Sequence, residues 1–322
     1  MSRISIIVPV YYNADTLMLL YEDMRDKILG KLPDYEIVFV DDGSGDDSWE
    51  VMNRIRDLDE NVKCVRLSRN FGEHSAILAG LSHCSGDCAV TKQADLQEDS
   101  ELILRMYESW EKGNKVVIAV RKERDDSAVK KFFANLYYLI VRKFIDKNMP
   151  VGGFDCYLLD RQVIDVLMML DEKNSSLTLQ VLWVGFRPDL IYFHRKDREI
   201  GKSRWTFAKK FKLVVDSMMS FSYFPVRFMS FLGFLFAIIS FIWIIGVIIE
   251  RVAIGTPIAG WASLMCLVLF SAGIIMLMLG ILGEYIWRTL DASRNRPPFL
   301  IDTVNGERRE SGEKKDDRGE KG

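Results

Sequence analysis

This 322-residue chain has no disulfide framework: its five cysteines, Cys64, Cys84, Cys88, Cys156 and Cys266, are irregularly spaced and fit a reducing compartment. His83, Cys84 and Cys88 offer three scattered ligands without the second pair that a zinc site needs. No G-x-G-x-x-G follows the first apolar run, and no G-x-x-x-x-G-K-[ST] occurs anywhere, so dinucleotide oxidoreductase and P-loop chemistry lack their signatures. No basic stripe is interleaved with aromatics, which argues against a nucleic-acid partner, and the formal net charge of −2 adds nothing for one. No secretory signal precedes the strand-like run at residues 4–8.

Charge is also missing from two long stretches, residues 228–249 and 261–283, of 22 and 23 residues. As helices they would each reach about 33 Å, enough for a hydrocarbon core of about 30 Å. Trp261 and Trp287 fall near the ends of the second, where interfacial aromatics gather. Lys202, Arg204, Lys209, Lys210, Lys212 and Arg227 precede the first run, and Arg288, Arg294 and Arg296 follow the second. The connecting residues 250–260 carry only Arg251 as a cation, so the positive-inside rule puts both termini in the cytoplasm. Residues 206–223 mix Phe207, Phe211, Leu213, Val214 and Met218 with lysines, the composition of a helix lying in the membrane interface; a helix packed on the preceding domain is the alternative. From about residue 306 the chain alternates charged residues and glycine without an apolar period and reads as disordered.

What is present before residue 206 is an α/β pattern. Strand-like runs at 4–10, 35–40, 62–67, 87–91 and 115–120 alternate with helical periods at 14–28, 49–58, 73–81 and 100–110. Repeated βαβ units imply a mainly parallel sheet covered on both faces. Ligands bind such sheets at the carboxyl ends of the strands, near a switch in strand order. Three polar segments occupy such positions: Tyr11-Tyr12-Asn13, Asp41-Asp42-Gly43-Ser44 and Gln93-Ala94-Asp95-Leu96-Gln97. After Arg121 a wide apolar helical face (Phe132, Phe133, Leu136, Tyr137, Ile140, Phe144) leads to a loop at residues 151–155 that enters a short strand, then a helix pair and a basic stretch at 195–204.

Val8-Pro9-Val10-Tyr11, Val40-Asp41-Asp42-Gly43-Ser44 and Ala94-Asp95-Leu96-Gln97 resemble, in order, the signatures of family 2 glycosyltransferases of GT-A fold. With Gly201-Lys202-Ser203-Arg204-Trp205 and the two apolar runs, the chain resembles polyprenyl-phosphate glycosyltransferases over residues 5–298: relatives of dolichol-phosphate mannose synthase and of bacterial undecaprenyl-phosphate glucosyl and aminoarabinose transferases. The resemblance implies an inverting transfer from a nucleotide sugar, a UDP-sugar by preference, to a polyprenyl phosphate, in cell-envelope glycan or lipopolysaccharide modification.

A departing nucleoside diphosphate needs its charge neutralised, which a cation on few carboxylates does. Mg²⁺ or Mn²⁺ suits oxygen ligands and keeps phosphate oxygens in its shell. Asp95 is the best-placed ligand and Gln97 the second, the alternative for Asp95 being a turn or cap. The resemblance makes Gln93 a donor-binding candidate; relatives usually carry an acid at that position, so one negative charge is lost there and weaker metal affinity is expected. Asp41 and Asp42 can accept hydrogen bonds from base or ribose, unless the Asp-Asp-Gly-Ser turn is purely structural. Pro9 and Tyr11 would frame the base, and Asn70, in Ser68-Arg69-Asn70-Phe71-Gly72, matches a family donor loop. Arg121 and Arg124 match phosphate-binding positions, while Arg198, Lys202, Ser203 and Arg204 stand just before the membrane, where a lipid phosphate would arrive; solvated surface charge is the alternative for each cation. Asp155 is a candidate catalytic residue beside Asp95, orienting the acceptor or an arginine, with a structural role equally open.

The domain reading is a GT-A catalytic domain over 1–205, a juxtamembrane segment over 206–227, membrane helices over 228–249 and 261–287 joined by an external loop at 250–260, and a cytoplasmic tail over 288–322. The expected setting is a bacterial inner membrane; partners are the nucleotide sugar, polyprenyl phosphate and the bilayer, with a homo-oligomer left open. Transfer to another glycolipid or glycan, and a non-catalytic sugar-nucleotide binder with a decayed metal site, are the competing readings.

Overall fold

The computed structural model describes residues 2–121, 139, 141–143, 146–150, 153–170, 176–194, 219, 221–222, 224–254, 260–294 and 296–308. The chain divides into two compact units: Met1–Arg142 with Asp146–Thr206 and Pro297–Gly322, and Lys143–Ile145 with Phe207–Arg296.

In the first unit, strands β1 (Ile4–Val10), β2 (Tyr35–Asp41), β3 (Val62–Leu67) and β4 (Cys88–Thr91) alternate with helices α1 (Ala14–Lys27), α2 (Ser48–Leu58) and α3 (Glu73–His83). Helix α4 (Glu101–Glu111), β5 (Val116–Arg121), β6 (Tyr157–Asp160), α5 (Arg161–Met169), α6 (Leu177–Trp183) and β7 (Asp189–Phe193) follow. Strands β8 (Ile301–Val304) and β9 (Glu307–Arg308) complete one nine-stranded sheet of order β7-β5-β6-β4-β1-β2-β3-β8-β9.

β1 is buried along its whole length and β2 at every residue after Tyr35, because helices cover both faces of the sheet. Ile4, Ile6, Val8, Ile37 and Phe39 share one core with Leu17, Leu20 and Met24 of α1, Met52 and Ile55 of α2, and Ile103 and Met106 of α4. Helix α3 takes the other face, where Gly80 lets it come close: a Cβ there would stand 2.4 Å from Ile7 Cγ2.

The expected mainly parallel sheet is observed, with exceptions that the periodicity does not show. β6 lies antiparallel between β4 and β5, and β8 antiparallel to β3. The reading of disorder from about residue 306 is corrected for residues 306–308, the rest of that tail lying outside the described residues: Asn305 and Gly306, both at positive φ, turn the chain into β9, and the pairing runs Thr303 to Arg308 and Val304 to Glu307. Asn305 in the left-handed region and a following glycine are the chemistry of a tight hairpin, and sheet pairing here outweighs a charged composition.

The second unit contains helices α7 (Phe224–Ile254) and α8 (Trp261–Ser293), 31 and 33 residues long, each extending past the expected span. Phe236 and Phe270 meet at 5.3 Å between ring centroids, and Gly233 faces Met278. Phe231, Phe234, Phe241, Trp243 and Ile286 are all more than 60% exposed, as side chains in contact with lipid would be and soluble core residues are not. Both helices are long and apolar enough to cross a membrane. The proposed interfacial segment at 206–223 and the apolar face from Phe132 to Phe144 fall almost wholly outside the described residues.

Candidate active site

The strand order turns at β1, which has β2 on one side and β4 on the other. Lys92 N donates to Ile7 O at 2.9 Å as the last bond on the β4 side, whereas Asp42 N still reaches Val10 O on the β2 side. Carbonyls of alternate residues face alternate neighbours, so Pro9 faces β4 just beyond that last bond. A proline is tolerated in this central strand because its missing N–H falls where pairing has already ended. The crevice opens there.

Four loops meet at this end of the sheet. Tyr12 N donates to Ser44 Oγ at 3.0 Å and Asn13 N to Ser48 Oγ at 3.0 Å, tying the first loop to the second. Thr16 Oγ1 donates to Ala94 O at 2.7 Å, tying the start of α1 to the Asp95 loop. Asp42 accepts from Phe71 N at 2.7 Å and Gly72 N at 2.9 Å, tying the second loop to the third. Gly43, at φ 67°, allows that approach: a Cβ would lie 2.6 Å from Arg69 C and 2.8 Å from Asn70 N. Tyr12 and Leu96 also hold positive φ, at 57° and 58°. Left-handed backbone costs an ordinary residue about 1–2 kcal/mol, so these loops are over-determined by their surroundings.

Asp41 and Asp42 are both buried. Asp41 accepts from Ser44 N at 2.9 Å, and Arg66 Nε stands 3.1 Å from its Oδ2 as an ion pair without the alignment of a hydrogen bond. Burial raises both carboxyls above the ordinary range; Ser44 and Arg66 oppose the rise at Asp41, and the two backbone N–H groups oppose it at Asp42. Both acids therefore have structural partners that take up part of their hydrogen-bonding capacity. Tyr11 and Tyr12, partly exposed, make an edge-on aromatic pair at 4.8 Å beside Pro9. Asn70 is exposed at the rim.

Asp95 and Gln97 are partly exposed, and Asp95 Oδ1 accepts from Gln97 N at 3.2 Å. Asp155 is held at the end of β4, where Thr91 bonds both Asp155 O and Tyr157 N, and its charge and that of Asp95 both reach Glu73 and Glu98. Its carboxylate is ion-paired with Arg121. The structure thus brings together Pro9, Tyr11, Asp41, Asp42, Asn70, Gln93, Asp95, Gln97, Arg121 and Asp155. Arg124, Arg198, Lys202, Ser203 and Arg204 lie outside the described residues.

Two acids were missed by motif reading. Glu98 is 3% exposed, its Oε2 has no hydrogen-bond partner, and Lys92 Nζ donates to its backbone carbonyl. Burial pushes its carboxyl up to about 7, with the Lys92 charge opposing and those of Asp155 and Asp95 adding to the rise. Glu73, the first residue of α3, accepts from Gln93 Nε2 at 2.7 Å. The surrounding protein raises the Glu73 carboxyl although the side chain reaches solvent; Asp155 and Asp95 add to the rise and Gln93 opposes it. An acid opening a helix ordinarily reads as a partner of the helix dipole, which hid Glu73. Its position at the end of the loop after β3 was the available signal.

Among the described residues no three His, Cys, Asp or Glu side chains form a ready-made metal cage. A carboxylate and an amide oxygen are nevertheless the hard, incomplete donor set of a cation whose other ligands are phosphate oxygens, and the buried Glu98 oxygen without a hydrogen bond is a further oxygen donor on the same loop. The residues present fit Mg²⁺ or Mn²⁺ with a bound diphosphate.

Residues 5–168 match the glycosyl transferase family 2 profile. The chain belongs to glycosyltransferase family 2. This family 2 glycosyltransferase is 35% identical to the uncharacterized glycosyltransferase YkcC of Bacillus subtilis, over 94% of each chain. It is 32% identical to the bactoprenol glucosyl transferase of Shigella phage SfV, over 93% of this chain and 98% of the relative. Among solved structures, the Pyrobaculum calidifontis mannosyltransferase in complex with GDP-Man and Mn²⁺ aligns over 66% of this chain and 60% of its own, with 15% identity and a TM-score of 0.47. The α/β, mostly parallel GT-A fold expected of the family is the one observed.

Proposed function

We propose that this glycosyltransferase moves a sugar, with inversion, from a UDP-sugar to polyprenyl (undecaprenyl) phosphate at the cytoplasmic face of a bacterial inner membrane. The carrying observation is the Gln93–Gln97 loop at the turn in strand order, with Asp95, Gln97, Asp155 and Arg121 in one crevice. The similarity to bactoprenol glucosyl transferases over nearly the whole chain supports the acceptor, and the two long apolar helices support its delivery from a bilayer. The cations flanking those helices favour a cytoplasmic catalytic unit.

Pro9, Tyr11 and Tyr12 frame the base, and the buried Asp42 presents its remaining lone pairs to the nucleoside. Asp95 and Gln97 would hold the divalent cation, whose chemistry would be to neutralise the charge of the departing diphosphate. The lipid phosphate, with a second pKa near 6, is largely dianionic at neutral pH and needs no base to remove a proton. One of its oxygens forms the new bond to the anomeric carbon as the bond from that carbon to the diphosphate oxygen breaks, and the electron pair leaves with the nucleoside diphosphate. Asp155 fixes the Arg121 guanidinium, whose fork is suited to phosphate oxygens. Arg124, Arg198, Lys202, Ser203 and Arg204 complete the acceptor reading from the sequence.

The test is incubation of the detergent-solubilised full chain with labelled nucleotide sugars, undecaprenyl phosphate and Mn²⁺. One UDP-sugar should yield label extractable into organic solvent, and Asp95→Ala should lower that rate by about a hundredfold or more. Label appearing only in a water-soluble glycan would move the acceptor assignment to the competing class. Full activity in excess EDTA would remove the cation.

A further inference from the structure

The cation-binding loop carries one carboxylate, Asp95, between two amides, Gln93 and Gln97. One such charge is little for a divalent ion facing a diphosphate. The neighbouring loop supplies another. Glu73 Oε1 lies 2.7 Å from Gln93 Nε2, and its carboxyl is close enough to Asp95 and Asp155 to feel both charges.

An ionised carboxylate can only accept, which agrees with the observed orientation, in which the Gln93 NH₂ faces Glu73. Its Oε1 then points away from Glu73.

We infer that Glu73 is a positioning residue for the cation: it orients the Gln93 amide with its oxygen available as a ligand and supplies, from α3, the negative charge that Gln93 lacks. The expectation that an amide at position 93 weakens the site is thereby revised. An acid at 93 would stand against Glu73, two carboxylates at hydrogen-bond distance, and one would have to take up a proton. The Glu73–Gln93 pair is an acid and an amide that can be exchanged between positions, not a lost acid.

This inference rests on the reading of Asp95 and Gln97 as cation ligands, and the test separates the two. Mn²⁺ affinity is measured by electron paramagnetic resonance on the detergent-solubilised full chain with saturating UDP, beside UDP binding without metal. Glu73→Gln should weaken Mn²⁺ about tenfold and leave metal-free UDP binding and the melting temperature unchanged. Gln93→Glu alone should not tighten Mn²⁺ at neutral pH. The exchange variant, Glu73→Gln with Gln93→Glu, should return to within about threefold of the wild type. Unchanged affinity in Glu73→Gln, or an exchange variant no better than the single ones, would overturn the inference. If Asp95→Ala weakens Mn²⁺ while Glu73→Gln does not, only the role of Glu73 falls; if neither does, the cation site falls with it.

Discussion

Single carboxylates at the two ends of the same sheet do different work. Glu36, buried near the start of β2, accepts from Ser5 Oγ at 2.6 Å, Ser85 Oγ at 3.0 Å and Gly86 N at 3.2 Å, with the Ser85 N–H and Lys63 also on it. Burial alone would raise its pKa, but these donors and the lysine outweigh it and hold the carboxyl below its ordinary value. A depressed folded pKa means stability that is present above the unfolded value of about 4.5 and is lost as pH falls through the folded one. Melting temperatures across pH 3–7 should therefore drop on the acid side, and Glu36→Gln should flatten that drop while costing about 1–3 kcal/mol at pH 7, since an amide leaves donors unmatched. Parallel melting curves would assign the acid loss to other groups. Nothing in the sequence around Glu36 separates it from a surface acid, whereas Asp95 stood out by its motif. Asp41 and Asp42 stood out equally, yet much of their hydrogen-bonding capacity goes into holding loops. Motif reading could not divide architecture from ligand contact, because both uses favour an acid at a strand end.

Elements with a strong period were legible: β1 to β5 and α1 to α4 fall within a few residues of where apolar spacing puts them. β6 was visible only as a short strand after a loop, since four residues cannot announce an antiparallel insertion between β4 and β5. β8 and β9 were missed because each is short and charged residues surround them. The meeting of loops was not legible at all, as it depends on approaches such as Gly43 against Arg69. Gly43→Ala places a side chain at positive φ and against backbone, so a loss of about 1–3 kcal/mol is expected. Because the displaced partner is the Ser68–Gly72 loop, nucleotide affinity should fall with stability. A lowered melting point with unchanged UDP affinity would show that this loop is not part of the donor site.

At the scale of the molecule, chain order and sheet order disagree. Asn305 bonds Cys64 through both backbone and side chain, at 2.8 and 2.9 Å and 241 residues apart, and Ser68 N donates to Leu300 O at 2.9 Å. The strand that pairs with β3 and meets the Ser68–Gly72 loop is thus made only after both apolar helices. On a ribosome, β1 to β4 can pair early, but β3 remains an open edge, a template for wrong partners, until residues 301–308 emerge. Deleting residues 297–322 should lower the melting temperature by several degrees and weaken UDP binding, whereas deleting only 309–322 should change neither; equal behaviour of the two truncations would show that β8 is dispensable. The order of synthesis also sets where the protein becomes competent. With both apolar helices translated before the last strand, the sheet is finished only once α7 and α8 have been made. A nascent chain that stalls within α7 or α8 therefore leaves an incomplete sheet with β3 unpaired, not a finished catalytic unit released without them.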